Sequence, residues 1–335
     1  MTESLRKILG SRVLENEPLS KHTNFRIGGP AKWLVEVRTV EELQEVIKVA
    51  EAYKVDYVVF GGGSNTLASD AGFDGIVIKI AMRTYEIHGS RVVAQAGVLS
   101  SALARVTANA GLKGLTWAIS LPGTVGGGVR GNAGCFGGEM KDHLVSVEVL
   151  RGSSGGKGGE VEKVDKVDLA FGYRESALKH TDDIVLSATF ELEEGDPQEL
   201  KAELDDKLMK RKSSQPLDAG SAGCLFKNYE IHDETELQRL SQKLDIPTEM
   251  LSALGRSAAT GEARRISAGW LIDQLDLKGK QIGQAKISDK HGNFVVNFGN
   301  ATADEVVQLI ALIKTRARNE LEIQLQEEVA YLGFR

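Results

Sequence analysis

The sequence predicts a mixed α+β protein with more than one domain. Its 335 residues exceed the size of one average domain. Residues 33–65 show the patterns of a strand, an amphipathic helix and a second strand in succession. Residues 75–97 and 144–190 are rich in Val and Ile with partial alternation, which is typical of strands, whereas helical patterns dominate 198–213 and 233–254.

The first strand–helix–strand segment has the clearest pattern. The strand WLVEV begins at Trp33, and Thr39 with Glu42 has the spacing of a helix capping box. The apolar residues that follow share one helical face: Leu43, Val46, Ile47 and Ala50. The next strand, DYVVF, runs directly into a glycine-rich turn. This order predicts a β-α-β unit whose last strand ends in that turn.

The remaining predicted elements alternate between helices, strands and turns. In chain order they are a helix at 101–110, a flexible hairpin tip at 152–159, a loop at 255–265, strands at 281–300, a helix opening with a Thr302/Glu305 capping box, and a final strand near Glu328 and Val329. No repeat of fixed period is present, which argues against a repeat architecture.

Composition excludes several classes of protein. Hydrophobic residues make up 41% and charged residues 26%, as in an ordinary globular protein, and a net charge of −6 argues against a general nucleic-acid partner. The N-terminus lacks the apolar core of a signal peptide, and the longest uncharged stretch, 114–129, is too short to span a membrane. Two cysteines, Cys135 and Cys224, and six scattered histidines indicate no metal site. We expect a soluble, cytoplasmic protein with no metal and no nucleic-acid or membrane partner.

A first glycine-rich loop, Gly61-Gly62-Gly63-Ser64-Asn65, follows a buried strand. Three glycines allow several backbone N–H groups to converge on one point, which suits a phosphate group. Ser64 and Asn65 add side-chain donors. The alternative is a plain tight turn, but two residues would suffice for that. The loop therefore predicts phosphate binding.

A second loop, from Ser120 to Glu139, contains eight glycines. Gly126-x-Gly128-x-x-Gly131 matches the dinucleotide fingerprint only as a letter pattern, because Leu121-Pro122-Gly123 precedes it instead of an apolar strand. An ordinary Rossmann dehydrogenase is therefore the weaker interpretation. Two glycine loops some distance apart indicate one large cofactor that is held at two places.

Seven motifs resemble one known family when they are taken in order. They are HTNFRIGGPA (22–31), FGGGSN (60–65), SLPGTVGGGVRGNAG (120–134), FGYRES (171–176), SAGCLFKN (221–228), SAGWLIDQLDLKGKQIG (267–283) and LQEEV (325–329). Together they resemble the UDP-N-acetylenolpyruvoylglucosamine reductase family, bacterial flavoenzymes of cell-wall synthesis. Each motif is moderately specific, whereas seven in the right order are very specific. The resemblance covers residues 20 to 333.

The resemblance implies a fold and a division into domains. The fold is α+β, with an FAD-binding domain of the vanillyl-alcohol-oxidase (PCMH) type and a separate α/β substrate domain. The implied parts are a first FAD subdomain at 1–72 and 318–335, a second at 73–197, and a substrate-binding domain at 198–317. The FAD-binding region as a whole is expected at about 25–193. FAD is expected to be bound non-covalently, in a monomer.

The family reaction implies which residues to seek. NADPH reduces the flavin, and hydride then passes from flavin N5 to C3 of an enolpyruvyl UDP-sugar while a proton is delivered to C2. Charge builds on the substrate carboxylate, so a fixed cation and a proton donor are needed. The resemblance places Arg174 opposite that carboxylate. It makes Cys224 the proton donor, which is reasonable because a free thiol is mostly protonated at neutral pH. It makes Glu328 the carboxylic acid that helps stabilise the enediolate. The neighbouring Glu327 is excluded because the family's acid lies directly before Val.

The resemblance also implies binding residues. The cofactor set is Gly61, Gly62, Gly63, Ser64, Asn65, Ser120, Gly123, Thr124, Gly126, Gly127 and Arg130. The expected substrate contacts are Lys227, Asn228 and His291, with Lys212 or Arg211 at the UDP phosphates. A solvated helix end is the alternative for the last pair.

The chain departs from the family pattern in two places. Tyr229 stands where a proline usually follows FKN, and the segment 229–266 is longer than expected. No Tyr lies between Arg174 and Cys224, so the chain is similar to the branch that lacks a Tyr-bearing loop. Two other functions are considered: another FAD-dependent oxidoreductase of the same fold, and a flavin-binding homologue without catalysis. The presence of Arg174, Cys224 and Glu328 together disfavours both.

Overall fold

The computed structural model describes residues 1–152, 159–254 and 264–334. The chain groups into two compact units. Unit 1 comprises Met1–Pro18, Pro30–Gly63 and Phe73–Ser213, and unit 2 comprises Leu19–Gly29, Ser64–Gly72 and Ser214–Arg335. Each unit is assembled from three separate stretches of sequence, and each has its own hydrophobic core.

Unit 1 opens with a four-stranded sheet. The strands, in spatial order, are Val13–Pro18, Pro30–Val37, Phe73–Ile80 and Tyr57–Phe60. The last three are mutually parallel, and the first pairs antiparallel with the second. The helix Val40–Tyr53 connects two parallel strands, and Thr39 Oγ1 accepts its first capping hydrogen bond from Glu42 N. The predicted β-α-β unit is confirmed, although the strand Phe73–Ile80 lies between its two strands.

A second sheet of unit 1 is antiparallel throughout. Its spatial order is Val161–Asp165, Leu144–Leu150, Ile184–Glu191, Arg91–Gln95 and Tyr85–His88. The expectation of strands at 75–97 is confirmed, but 144–190 is only partly strand. Residues 166–180 form short turns of helix and a tight turn instead, and this irregular stretch carries Arg174.

Helices cover the sheets of unit 1. They are Thr2–Leu9, Val40–Tyr53, Ser100–Asn109, Val125–Arg130, Met140–His143 and Pro197–Ser214. Two pairs of very short strands, Leu112–Lys113 with Glu193–Glu194 and Gly134–Cys135 with Gly138–Glu139, complete the unit. Its core includes Ile76, Ile78, Val92, Leu103 and Phe190, all nearly or fully buried. The helices predicted at 101–110 and 198–213 are confirmed.

Unit 2 has little regular sheet. Gln281–Ile282, Ala285–Ile287 and Val295–Asn297 form an antiparallel sheet, and Tyr229–Glu230 pairs with Arg265–Ile266. The strand Thr66–Ala68 pairs in parallel with Ala330–Leu332. The predicted final strand therefore exists but begins slightly later than expected, because residues 327–329 belong to an isolated bridge and a bend.

In the described part of unit 2, four α-helices pack on a core that includes Phe226, Leu237, Leu271 and Leu309. They are Glu234–Leu244, Thr248–Leu254, Ala268–Gln274 and Ala303–Arg316, and a π-helical turn follows at Ala317–Leu321. The helix predicted across 233–254 is interrupted near Pro247. Proline has no backbone N–H to donate within a helix, so the preceding helix cannot run through it. The Thr302/Glu305 capping box is confirmed in both directions.

Three expectations are not decided by these elements. Most of the predicted hairpin tip at 152–159 and of the loop at 255–265 lies outside the described residues. The predicted domain boundaries at 72/73, 197/198 and 317/318 stay predictions.

Candidate active site

The two glycine-rich loops approach each other closely within unit 1. A Cβ atom added at Gly62 would lie 2.7 Å from Gly123 Cα, and one added at Gly61 would lie 2.8 Å from Thr124 Oγ1. Cβ atoms do not normally approach other atoms that closely, so these positions require glycine. Parts of the two segments that were predicted to hold FAD thus lie in close contact within unit 1.

The second loop continues into the short helix Val125–Arg130. Gly126 N donates to Ala96 O over 2.9 Å, and a Cβ at Gly126 would lie only 2.7 Å from that of Ala96. Gly126 is therefore required for packing of the helix, whatever its role toward a cofactor. Gly127, by contrast, is exposed and has ordinary space around it. A ligand can approach the backbone of Gly127 more readily than that of Gly126.

The helix Pro197–Ser214 directs two cations toward the start of the second loop. Arg211 Nη1 lies 3.5 Å from Ser120 Oγ, and Lys207 Nζ lies 3.5 Å from Thr116 Oγ1. These two cations are four residues apart and share a helix face. Lys212 is exposed on the same helix. Of the two residues considered for the UDP phosphates, Arg211 is the one that the helix places beside a predicted binding residue.

Arg174 lies on a tight turn between Gly172 and Glu175. The backbone N–H of each of these two residues donates to the carbonyl of the other, over 3.1 and 3.2 Å. Arg174 itself has φ +55°, a left-handed conformation that favours glycine. Its Nη2 donates to Gly134 O over 2.6 Å, and Lys179 Nζ donates to the Arg174 carbonyl over 2.6 Å. The arginine is thus attached to the second glycine-rich loop.

Arg130 and Cys135, both in the second glycine-rich loop, make contacts with backbone carbonyls of unit 1. Arg130 Nη1 donates to Leu178 O, and its own carbonyl accepts from Ser176 Oγ over 2.6 Å. Cys135 Sγ lies 3.3 Å from Trp117 O, and burial raises the pKa of its thiol against the opposing charges of Arg211, Arg174 and Lys207. Three cations therefore surround this loop. The contacts of Arg130 are structural, and its cofactor role stays a prediction.

In unit 2, the segment that carries Cys224 is paired with the segment that carries Glu328. Glu328 N donates to Leu225 O, and Lys227 N donates to Gln326 O, each over 2.8 Å. Cys224 is half-buried, and Gly223 before it has φ +84° with open space beside it. The structure thus brings two of the three predicted catalytic residues onto adjacent, hydrogen-bonded segments.

The side chain of Glu327 is held by two hydrogen bonds within unit 2. Glu327 accepts hydrogen bonds from Lys314 Nζ, over 2.5 Å, and from the Tyr331 hydroxyl. Burial would raise the pKa of Glu327, but these two hydrogen bonds outweigh it and lower the pKa below its usual value. The carboxylate of Glu327 is thereby bonded to the helix Ala303–Arg316, which carries Lys314. The choice of Glu328 as the catalytic acid stays a prediction.

Asn65 also supports the Glu328 segment. Its Nδ2 donates to Glu328 O over 2.9 Å, and its carbonyl accepts from Ala330 N over 2.9 Å. Asn65 was predicted to bind the cofactor. The structure shows that its side chain fixes the backbone at Glu328, a role that the sequence did not indicate.

Two predicted substrate residues also have structural hydrogen bonds. Asn228 Oδ1 accepts from Ala268 N over 3.2 Å, and His291 Nδ1 accepts from Asn293 N over 3.2 Å. The His291 ring packs against Phe294, and burial, with Lys278 nearby, lowers its pKa below the usual value. The neutral His291 ring therefore has Nε2 as the atom that could bind a ligand. Lys227 is half-buried beside the paired segments.

Sequence reasoning missed Asn293, which is 2% exposed in unit 2. Its Oδ1 accepts from Phe226 N over 2.9 Å, and its Nδ2 donates to Phe226 O over 2.8 Å. Leu225 N donates to the Asn293 carbonyl. Asn293 therefore fixes the backbone directly after Cys224. The sequence signal was weak, a polar residue directly before the apolar run Phe294-Val295-Val296.

Among residues 1–152, 159–254 and 264–334, no group of three or more His, Cys, Asp or Glu side chains could hold a metal ion. None of the described helices combines the length and the apolar character that crossing a membrane requires.

Comparison with known proteins identifies relatives of both parts of the chain. Residues 31–156 match the FAD binding domain family, and residues 215–332 match the family described as UDP-N-acetylenolpyruvoylglucosamine reductase, C-terminal domain. The match at 31–156 includes both glycine-rich loops, and the match at 215–332 includes Cys224 and Glu328.

Full-length relatives give the same result. The UDP-N-acetylenolpyruvoylglucosamine reductase of Clostridioides difficile is 36% identical over 320 residues, which is 95% of this chain and 92% of the relative. That of Synechococcus sp. (strain JA-3-3Ab) is 37% identical over 97% of this chain and 93% of the relative. The crystal structure of the Thermus caldophilus enzyme matches with a TM-score of 0.72 and 34% identity, over 96% of this chain and 99% of that one.

Proposed function

This chain belongs to the UDP-N-acetylenolpyruvoylglucosamine reductase family, and we propose that it reduces UDP-N-acetyl-3-O-(1-carboxyvinyl)-glucosamine to UDP-N-acetylmuramate in peptidoglycan precursor synthesis. The chain is an FAD-dependent oxidoreductase with the expected α+β fold, and NADPH is its reductant. The pairing of the Cys224 segment with the Glu328 segment is the observation that best supports the proposed reaction, because both residues are required near one carbon–carbon double bond.

FAD, when bound and reduced by NADPH, would supply the hydride for C3 of the enolpyruvyl group. The two glycine-rich loops would hold FAD, and the close approach of Gly62 to Gly123 supports that assignment. The cofactor contacts proposed are Gly61, Gly62, Gly63, Ser64, Asn65, Ser120, Gly123, Thr124, Gly126, Gly127 and Arg130. None of these supplies an obvious covalent attachment, so FAD is proposed to be non-covalent.

Arg174 stabilises the charge that develops on the substrate. Addition of a hydride at C3 converts the enolpyruvyl carboxylate into an enediolate with extra negative charge. A planar guanidinium binds two carboxylate oxygens at once, and a donor fixed in advance costs no reorganisation during the reaction. The hydrogen bond from Arg174 Nη2 to Gly134 O supports this role, because it restricts the side chain before substrate binds.

Cys224 gives the proton to C2 of the enediolate. A thiol is a suitable donor since it is mostly protonated at neutral pH and its conjugate base is stable enough to form. The positive φ of Gly223 turns the chain so that the Cys224 segment has open space beside it. After transfer, the thiolate takes a proton back from solvent.

Glu328 helps stabilise the enediolate beside Cys224. Its N–H donates to the Leu225 carbonyl, its own carbonyl accepts from Asn65 Nδ2, and these two hydrogen bonds hold its backbone in place. The neighbouring Glu327 is held by Lys314 and Tyr331, which supports Glu328 as the acid that takes part.

The remaining assignments concern binding. Lys227, Asn228 and His291 are proposed to contact the sugar nucleotide, and a cation at the end of the helix Pro197–Ser214 is proposed to bind its phosphates. For the latter, the position of Arg211 beside Ser120 favours Arg211 over Lys212. The cytoplasmic location, the monomeric state and the domain boundaries expected from the sequence are retained as part of the proposal.

Rapid mixing without oxygen tests the reaction. NADPH should bleach the yellow protein, and the enolpyruvyl sugar nucleotide should then restore the colour faster than air does. Colour that returns only with air would remove the proposed substrate and favour another oxidoreductase of this fold. A protein that holds FAD but is never bleached would favour a homologue without catalysis.

A further inference from the structure

Asn132 lies in the second glycine-rich loop of unit 1 and is completely buried. Its Nδ2 donates to Gly172 O over 2.8 Å and to Glu139 Oε2 over 3.0 Å. Its Oδ1 accepts from Lys141 N over 3.1 Å. Every hydrogen on the amide nitrogen therefore has an acceptor, and the side chain joins three separate segments. Its own backbone has φ +42°, which Asn tolerates better than most residues.

The segment that Asn132 reaches is the turn that carries Arg174. Gly172 O accepts from Glu175 N, which closes the turn, and from Asn132 Nδ2, which attaches the turn to the loop. Arg174 occupies a left-handed position that its side chain disfavours. A turn with such a residue relaxes to another shape unless contacts from outside hold it.

We propose that Asn132 is a positioning residue for Arg174. It acts through the backbone of the turn and does not contact the substrate. The inference rests on the proposed role of Arg174 in stabilising the substrate carboxylate. A bidentate contact needs a defined position of the guanidinium, so a turn that has lost its attachment would present Arg174 less accurately.

The test uses Asn132→Gly in the FAD-loaded enzyme. Glycine accepts the positive φ at residue 132, so the variant removes the amide without opposing the backbone. We expect reoxidation of the reduced flavin by the enolpyruvyl substrate to slow about 30- to 100-fold, the cost of a small displacement at a reacting group. Flavin reduction by NADPH should stay within about twofold, since it does not use the substrate carboxylate.

A double-mutant comparison separates positioning from general damage. If Asn132 acts through Arg174, then adding Asn132→Gly to Arg174→Ala should slow reoxidation by less than about twofold further. A merely structural role would give the same factor in both backgrounds. Thr107→Val is the control, because it removes a buried hydrogen bond to Leu103 O in the same unit, away from the turn. It should lower thermal stability and leave both half-reactions unchanged.

The possible results separate the positioning role of Asn132 from the proposed function of Arg174. Reoxidation that is unaffected in Asn132→Gly, or that slows equally in both backgrounds, overturns the positioning role. If Arg174→Ala itself leaves reoxidation unchanged, the proposed function of Arg174 has failed instead. Should Asn132→Gly not retain FAD, Asn132→Asp is measured in the same way, since it keeps the side-chain volume and the acceptor for Lys141 N but its carboxylate has no hydrogen to donate to Gly172 O.

Discussion

The turn that carries Arg174 and the segment that carries Cys224 are held in different ways. In unit 1, the residue with the disfavoured backbone conformation is Arg174 itself, and side chains of Asn132 and Lys179 hold its turn. In unit 2, the preceding Gly223 adopts the positive φ, and Cys224 is followed by backbone hydrogen bonds to the Glu328 segment. One site depends on side-chain contacts to a strained turn, the other on main-chain pairing.

This difference predicts which substitutions should disturb the backbone beside Arg174 and Cys224. A turn held by side chains can be released by changing a residue that never meets the substrate. Main-chain pairing persists when side chains change, so in unit 2 the effect of a substitution should be confined to the residue replaced. Asn293 and Asn65 are exceptions, because their side chains make hydrogen bonds to the backbone of Phe226 and of Glu328. The expected effects below follow from this contrast.

The largest effect is expected at Cys224. Replacing it by alanine removes the proton donor, and loss of a general acid costs on the order of 10²–10⁴-fold in rate. Cys224→Ser should recover much of the activity, because a hydroxyl can also donate. Because main-chain pairing holds the segment, FAD binding and reduction by NADPH should be nearly unchanged in both variants. Turnover and thermal melting of the two variants provide the measurement.

A packing role for Cys224 would give the opposite order. Alanine would then be tolerated with a modest loss of stability, and polar serine would be no better than alanine. An alanine variant with normal turnover would remove Cys224 from the mechanism.

The second effect is expected at Arg174. Arg174→Lys keeps the charge but loses the planar fork that binds two carboxylate oxygens. We expect reoxidation by the substrate to slow by about 10²–10³-fold, with little change in flavin reduction by NADPH. Stopped-flow measurement of the two half-reactions checks this. Equal slowing of both would contradict the assigned role and the contrast between the two sites.

A smaller effect is expected where the glycine loops meet. Gly62→Ala places a Cβ within 2.7 Å of Gly123 Cα, and such overpacking costs about 1–3 kcal/mol. FAD should bind about 10- to 100-fold more weakly, as measured by fluorescence during dilution. Gly131→Ala is the matched control, because its nearest atom would be 3.6 Å away and its φ is −94°. If both variants bind FAD alike, close approach of the loops does not determine binding.

The smallest effect is expected at the ion pair between Arg12 and Glu42 in unit 1. Arg12 donates to both carboxylate oxygens of Glu42, and this hydrogen bonding lowers the pKa of Glu42 to about 2. A depressed carboxyl pKa contributes stability above the usual value of 4.5, and that stability is lost as the pH falls toward 2. Allowing for solvent screening, Arg12→Met should cost about 1–2 kcal/mol at pH 7 and roughly half of that at pH 3.

Urea unfolding at the two pH values measures this effect. Arg6→Met, which removes an exposed ion pair to Glu15, should cost less than about 0.5 kcal/mol at either pH. A loss in Arg12→Met that is the same at both pH values would show that the ion pair with Glu42 is not its cause.

Local patterns in the sequence predicted most elements correctly. The capping residues Thr39 and Thr302 and the apolar faces behind them determined two helices, because these signals act within a few residues. The stretch 166–180 was not predicted as irregular, since it lies within the segment 144–190, which is rich in Val and Ile as a whole, while its turns depend on contacts with the second glycine-rich loop. Long-range contacts of this kind leave no periodic signal.

The site was predictable to the extent that motifs determined it. Motifs identified Arg174, Cys224 and Glu328 as candidates, and the paired segments in unit 2 agree with the last two. Motifs could not show that Asn132 and Asn293 hold the backbone beside them, because such roles depend on which distant carbonyl an amide reaches. For the same reason, the choice between Arg211 and Lys212 required the orientation of their helix.

The fate of solvent protons tests the central claim most directly. The account predicts that NADPH and the enolpyruvyl sugar nucleotide, incubated with the FAD-loaded protein in deuterated water, give UDP-N-acetylmuramate that carries solvent deuterium at C2 of the lactyl group. Nuclear magnetic resonance of the product distinguishes C2 from C3, where the exchangeable N–H of reduced flavin can also introduce deuterium. A product whose C2 hydrogen does not come from solvent, or NADPH oxidation without any product, would contradict the assignment of this chain as the enzyme of that reaction.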